Sequence, residues 1–436
     1  MMFFQKDLET MPRKDLEALQ LERLKWMVDY CYNNIPFYHE RLGAAGITGD
    51  KIKTLSDLQY IPFTTKDDIR DNYPFGMLAV PMKKIVRVHG SSGTTGKMTV
   101  GAYTRGDLER WSDQVARIAV SAGVTDEDIV QISFGYGMFT GALGLHYGLE
   151  KIGAAVIPAS SGNTAKQLMM FRDFGVTALV ATPSYAVYLG EAVRESGYPM
   201  SDYKLRLGLL GSEGCTPEMR AQIEKNLQIR VTDNYGLTEL SGPGVSGDCP
   251  CRTGMHFAED HYLPEIIDRE TFERKAPGEI GELVITTLTR EGMPVLRYRT
   301  KDISCLHYEP CPCGRTHARM EKVMGRTDDM LIIKGVNVFP SQVESVLVGM
   351  EHVGPHYQLV VRRGSNFLDT LEVKVELING DLLEHYRELE QLQRHIHDRL
   401  KSVLGLETKV TLVEPKSLER FQGKAKRVLD LRNEAE

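Results

Sequence analysis

Between residues 126 and 232 the chain repeats one pattern. Apolar runs at 129–132, 154–157, 178–181 and 205–210 alternate with helical stretches such as 164–174 and 217–227. Short aliphatic runs with no polar alternation are strands buried on both faces. When each is followed by a helix, neighbouring strands are joined by crossovers, so the pattern predicts a parallel sheet with helices packed on it. At 436 residues the chain also exceeds what one core supports, and more than one domain is expected.

Outside this stretch the periodicity changes. Residues 16–32 read as a helix, and the proline-broken NNIPFYHERL after it as a short connector before another. Residues 279–288 and 294–299 suggest antiparallel strands in a smaller β-rich unit. Beyond GRTDDM, at residues 325–330, the order becomes strand (331–333), helix from Ser341, strands (357–361 and 371–377), a long helix and a strand (409–413). In the long helix Leu389, Leu392, Ile396, Leu400 and Val403 recur at three- and four-residue steps, and Gly405 is placed to stop it. The fold class is therefore α/β. A large N-terminal domain over residues 1–325 has a parallel sheet with helices plus the small β-rich unit, and a hinge at 326–328 leads to a small α+β domain over 329–436.

Composition excludes some partners. A net charge of −6 argues against nucleic acid and provides no basic membrane patch. The N-terminus is charged before any apolar stretch develops, and no apolar run reaches transmembrane length. A cytoplasmic location follows, in which the 7 cysteines serve as thiols or metal ligands.

Two local features carry chemistry. HGSSGTTGKMT, residues 89–99, resembles a Walker loop but puts five residues between Gly90 and Gly96, follows Lys97 with Met98, and leads into a strand. It reads as a hairpin tip whose hydroxyls (Ser91, Ser92, Thr94, Thr95), glycines (Gly93, Gly96) and Lys97 can bind phosphate. The second feature is a pair of Cys-Pro-Cys triplets, Cys249/Cys251 and Cys311/Cys313, with His256 after the first. Four ligands from these five residues would suit a closed, structural zinc site; reduced buried thiols are the alternative. Cys31, Cys215 and Cys305 lack such company and read as inert.

SSGTTGK, NYGLTE (234–239), RYRTKD (297–302), GRTDDMLIIKG (325–335) and GKAKR (423–427) follow one another in the order and rough spacing of the adenylate-forming superfamily. FGYGMFTGALGLHYG, VTALVATPSYAVYL, GMHFAEDHYLPEIID, TTLTREGMPVLRYRTKD and DDMLIIKGVNVFPSQVE more narrowly resemble phenylacetate-coenzyme A ligases, nearly end to end. The resemblance implies an AMP-forming ligase that takes an aryl acid, ATP with Mg²⁺, and coenzyme A, and that forms a homodimer. It implies that Ser91 to Lys97 hold the leaving phosphates and that Ser212, Glu213 and Gly214 flank adenine. Within NYGLTE, Asn234 and Gly236 belong to the nucleotide site, Tyr235 stacks on the base, Thr238 donates to the α-phosphate and Glu239 faces Mg²⁺. Asp302 would accept the ribose hydroxyls, although a structural role beside Arg297 or Arg299 is the alternative. Arg326 would add a ribose or phosphate contact. The same resemblance makes Lys424 the catalytic lysine and Asp328 the hinge. Phe134, Tyr136, Phe139, Gly141 and Ala142 would form an aryl pocket, completed by Gly236 and Pro243.

Overall fold

The computed structural model describes residues 3–91, 98–327, 331–333, 336–363, 369–380, 382, 385–420 and 427–432. They fall into two compact units. One comprises Met1–Ala181, Ser201–Ser212 and Arg230–Val323, the other Thr182–Met200, Glu213–Ile229 and Met324–Glu436.

The first unit begins with α1 (Lys6–Glu9), α2 (Arg13–Asn34), α3 (Pro36–Ala45) and α4 (Lys66–Asp71). Pro36, expected to mark a connector, instead starts α3. At the first helical position its missing N–H has no partner to lose, and its fixed φ suits the helix. Leu24, Met27, Val28 and Cys31 of α2 pack with Leu263, Leu288 and Leu296 from far along the chain. Polar ties close the same seam. Arg13 bonds Glu259 at 2.6 Å, Gln20 donates to the Glu259 carbonyl at 2.9 Å, and Arg315 pairs with buried Glu9 at 2.7 Å.

β1 (Ile85–Ser91) and β2 (Thr99–Thr104) form the expected antiparallel hairpin, with Ser91 opposite Thr99. Thr104 then caps α5 (Arg105–Ala122) in a reciprocal box with Asp107, whose carboxylate also accepts the N–H groups of Glu291 (2.7 Å) and Gly292 (2.8 Å).

The repeat predicted from sequence follows as β3 (Ile129–Ile132), α6 (Thr140–Ile152), β4 (Ala155–Ile157), α7 (Thr164–Asp173), β5 (Ala178–Ala181), β6 (Leu207–Gly211) and β7 (Arg230–Leu237). These strands pair in parallel in the order β4-β3-β5-β6-β7. On its other edge β7 meets β8 (Gly242–Asp248) antiparallel, and β9 (Met255–Phe257) follows. A separate antiparallel layer joins β10 (Tyr262–Ile267), β11 (Gly281–Thr287) and β12 (Tyr298–Ser304). β12 starts later than the expected 294–299 because Arg297 sits at φ 43, outside extended geometry. The short β13 (Leu306–His307) and β14 (Arg319–Met320) complete a nine-stranded sheet beside β9.

The second unit holds α8 (Pro183–Glu195) and α9 (Pro217–Leu227), each opened by a threonine cap and a proline at the first turn. With them are β15 (Gly325–Arg326), β16 (Leu331–Ile333), β17 (Val336–Val338), α10 (Pro340–Leu347), β18 (Val353–Arg363), β19 (Asp369–Leu377), α11 (Tyr386–Leu404), β20 (Lys409–Val413) and β21 (Val428–Asp430). Four strands pair in the order β20-β19-β18-β21. α11 buries Ile396, Leu400 and Leu404, while Val403, expected on that face, is 44% exposed. The step that continues the stripe from Leu400 is four residues, not three. Gly405, in the left-handed region at φ 66, ends the helix as expected. Among the described residues no helix is long and apolar enough to cross a membrane.

Candidate active site and metal centre

β7 closes the parallel part of the sheet and pairs antiparallel with β8 on its other edge. In open α/β sheets ligands bind outside the carboxyl ends of the strands. NYGLTE lies at that end, with Asn234, Tyr235 and Gly236 in β7 and Thr238 and Glu239 just beyond it. The Asn234 amide donates to the Leu210 carbonyl of β6 at 2.8 Å. Gly236 sits at a bulge between β7 and β8. A Cβ there would meet the Gly242 carbonyl oxygen at 1.8 Å and the Pro243 Cα at 2.9 Å, so only glycine fits.

β12 delivers two side chains to the same place. Tyr298 and Asp302 lie four residues apart on β12, on either side of an irregularity in which Lys301 sits at φ 67, and both are buried. The Tyr235 hydroxyl donates to Asp302 Oδ2 at 2.6 Å, and Asp302 is 2% exposed. The Tyr298 hydroxyl donates to Glu239 Oε1 at 3.0 Å, while the Glu239 carbonyl accepts from Arg290 at 2.6 Å. The neighbouring arginines are engaged elsewhere, Arg297 with Glu265 and Arg299 with Glu282 at 3.0 Å each. Asp302 is thus a buried carboxylate that accepts a hydrogen bond from a phenol.

Ser212 follows β6 at φ 74. Glu213, in the other unit, accepts from the Ser184 N–H and hydroxyl at 3.2 and 3.0 Å, near the start of α8; Gly214 follows it. Arg326 lies in β15. Ser91 ends β1, but Ser92, Gly93, Thr94, Thr95, Gly96 and Lys97 lie outside the described residues, as do Asp328 and Lys424.

The aryl-pocket candidates gather after β3. Phe134 and Tyr136 are half-buried against the core cluster that contains Trp111 and Leu145. The Tyr136 hydroxyl bonds His146 Nδ1 at 3.0 Å, and burial raises its pKa. Gly141 and Ala142 occupy the first turn of α6, with Phe134 next to the face that a Gly141 Cβ would occupy. Phe139, at the cap, is 51% exposed. This loop is tied to the β1–β2 hairpin through Met138, whose carbonyl accepts the Gly90 N–H at 2.8 Å and faces His89 Nδ1 at 3.0 Å. Pro243 accepts the Trp111 indole N–H at 2.7 Å. Sequence reading did not single out Tyr298, His89 or Trp111.

The triplets converge. Ligand atoms of Cys249, His256, Cys311 and Cys313, all buried, lie within 4.8 Å of one another; Cys251 is left outside this set. Cys249 Sγ and Cys311 Sγ are 3.7 Å apart, and Cys313 Sγ is 3.3 Å from His256 Nε2. A tetrahedron with metal–sulfur bonds of ~2.3 Å and metal–nitrogen bonds of ~2.0 Å has edges of ~3.8 and ~3.5 Å. A hydrogen bond from Cys249, with help from His256 and against burial, holds the Cys313 thiol well below its usual range. Cys305, expected to be isolated, has His307 and Glu321 as neighbours.

A family model described as AMP-binding enzyme matches residues 88–289, and one described as AMP-binding enzyme C-terminal domain matches residues 335–432. The matched pair defines an adenylate-forming enzyme. Its fold is shared by 2-hydroxyisobutyryl-CoA ligase crystallised in the postadenylation state, with a TM-score of 0.92 and 28% identity over 99% of this chain and 92% of that one. Phenylacetate-coenzyme A ligase of Thermus thermophilus is 46% identical over 99% of this chain and 100% of its own length; that of Escherichia coli is 47% identical over 98% and 97%. The chain belongs to the phenylacetate-coenzyme A ligase family.

Proposed function

We propose that this chain converts phenylacetate or a related arylacetate, ATP and coenzyme A to the aryl-acetyl thioester, AMP and pyrophosphate. The observation that carries this is the meeting of Tyr235 and Asp302 at the carboxyl end of β7, with Glu239 held beside it by Tyr298. A carboxylate fixed by a phenol at one oxygen can accept ribose hydroxyls, and the Tyr235 ring then borders the base. The substrate carboxylate attacks the α-phosphorus, and the bond to pyrophosphate breaks. Thr238 donates to the α-phosphate, Ser91 to Lys97 hold the departing phosphates, and Asn234, Ser212, Glu213, Gly214 and Arg326 complete the nucleotide site. Glu239 would hold Mg²⁺, which suits an oriented oxygen ligand and neutralises phosphate charge when bound. Phe134, Tyr136, Phe139, Gly141, Ala142, Gly236 and Pro243 enclose the aryl group. In the second step the thiol sulfur attacks the acyl carbon and AMP leaves. Domains over 1–325 and 329–436, joined at 326–328, separate the two steps.

Cys249, His256, Cys311 and Cys313 would hold Zn²⁺ in a closed, structural site. This reading rests on three sulfurs and one imidazole whose separations suit a tetrahedron. A cytoplasmic homodimer completes the proposal.

The test separates the half-reactions. Two anions meet during adenylation, so a cation between them lowers the barrier, and its loss costs about a hundredfold or more. Lys424→Ala should nearly abolish pyrophosphate release yet still convert supplied phenylacetyl adenylate to thioester. Asp328→Pro, by stiffening the hinge, should do the reverse. Near-normal pyrophosphate release from Lys424→Ala, or equal loss of both steps, would refute the assignment.

A further inference from the structure

The β13–β14 hairpin carries the Cys311/Cys313 triplet in its loop, and a second group of donor atoms at its base. Cys305 Sγ, His307 Nε2 and a Glu321 carboxylate oxygen lie within 4.8 Å of one another. None of them belongs to the nucleotide site, the aryl pocket or the four-ligand cluster. Cys305 immediately precedes β13 and His307 ends it, and their side chains meet at 3.5 Å between Sγ and Nε2. Glu321 is held opposite them, its N–H donating to the Cys305 carbonyl at 3.1 Å and its carbonyl accepting from Ser304 Oγ at 2.8 Å.

The pattern of contacts distinguishes a metal site from a nucleophile relay. A Cys-His-acid relay uses both ring nitrogens, one toward the thiol and the other toward the carboxylate. Here the same atom, His307 Nε2, is 3.5 Å from Cys305 Sγ and 3.1 Å from Glu321 Oε1. Three donors therefore converge on one point. Tetrahedral edges of ~3.5 Å for sulfur–nitrogen and ~3.3 Å for nitrogen–oxygen match this spacing. The other ring nitrogen, Nδ1, is 3.9 Å from the exposed Glu309 carboxylate, beyond hydrogen-bond distance, so it completes no relay. Burial is graded: Cys305 is 4% exposed, while the His307 and Glu321 side chains are 28% and 43% exposed.

We propose that Cys305, His307 and Glu321 form a second cation site, for a thiophilic divalent ion of the zinc type, with its fourth position open to water. Thiolate plus imidazole selects zinc over magnesium or calcium. Binding replaces the Cys305 S–H bond with a metal–sulfur bond and releases that proton to solvent. With three protein ligands and a solvent-facing side, the ion exchanges readily, unlike one enclosed by four. The proposal does not rest on the ligase reading or on zinc in the closed cluster.

Full-length, metal-stripped protein dialysed against a series of buffered Zn²⁺ concentrations, with metal per chain read by elemental analysis, tests it. The wild type should take up a weaker equivalent that a brief chelating column removes. Glu321→Gln, a half-exposed change that leaves the fold, and His307→Gln should each weaken that equivalent roughly 10-fold or more. Calorimetry in two buffers should show about one proton released on the weaker event in wild type and none in Cys305→Ser. A Cys311→Ser, Cys313→Ser double variant should keep the weaker equivalent whether or not a tighter one exists. Saturation with only a tight equivalent that this double variant abolishes, or a weaker one unchanged in Cys305→Ser, His307→Gln and Glu321→Gln, would overturn the proposal.

Discussion

The bond between Tyr235 and Asp302 allows a quantitative test. At 2.6 Å between a phenol and a carboxylate it falls in the range of charge-assisted hydrogen bonds. Both partners are buried, at 8% and 2% exposure, so solvent cannot replace either one. Tyr235→Phe keeps the ring but removes the donor, and about 1.5–3 kcal/mol of stability should go with it. Asp302→Ala removes the acceptor of this bond, at a cost of about 1–3 kcal/mol. A double-mutant cycle by chemical denaturation should give a coupling of about 1–3 kcal/mol. The kinetic arms should then diverge. Tyr235→Phe should change the KM for ATP by less than about 3-fold, because the ring remains. Asp302→Ala should raise it about 30-fold or more, the loss of a charged acceptor worth about 2 kcal/mol or more. A coupling below about 0.5 kcal/mol, or an ATP KM indifferent to Asp302→Ala, would refute both the energetic and the functional assignment.

Tyr136→Ala should raise the KM for phenylacetate about 10–100-fold, the worth of one ring's burial, and leave that for ATP within about 2-fold; steady-state kinetics with each substrate varied will tell. Cys311→Ser with Cys313→Ser should remove one tightly held zinc by elemental analysis and lower the melting temperature, whereas wild-type protein that is metal-free as purified and indifferent to added zinc would count against the closed site. His261 lies against Asp260 at 3.3 Å, near Arg117, Arg23 and Arg110, and burial drives its pKa down to about 4. Between that value and the unfolded value of ~6.5 the unfolded chain binds a proton that the folded chain does not. Stability should therefore be level above about pH 7 and fall by about 3 kcal/mol as pH drops to 4; His261→Gln should flatten that part of a urea-midpoint profile, and an unaltered profile would disprove it.

Local order was the legible part of the sequence. The runs at 129–132 and 178–181 and the helix at 217–227 appear with those bounds, because aliphatic strands and a threonine-proline helix start are decided by nearest neighbours. The errors sit where tertiary context decides. Pro36 initiates where it was expected to interrupt, and Arg297 delays β12 because its guanidinium is drawn to Glu265. The four-ligand cluster was visible as five candidates, but choosing among them needs the register that puts Met320 opposite Met255 and brings Cys311 and Cys313 to His256. Cys305 looked solitary because Glu321, sixteen places on, meets it only through the hairpin. Likewise no local pattern pairs Tyr235 with Asp302, 67 residues away.

The seam between α2 and the rest of its unit sets an order for synthesis. Gln20 waits for Glu259 and Glu9 for Arg315, separations of 239 and 306 residues. At ribosomal rates of about 5–20 residues per second, these polar ties stay open for roughly 10–60 s after Gln20 and Glu9 are made. Leu24, Met27 and Val28 meet Tyr38, Leu42, Ile52 and Leu58 early and gain Leu263, Leu288 and Leu296 only late. A chain truncated before residue 259 would lack the acceptor of Gln20 and the cation that neutralises buried Glu9, which leaves the seam half-closed until the β-rich layer is made.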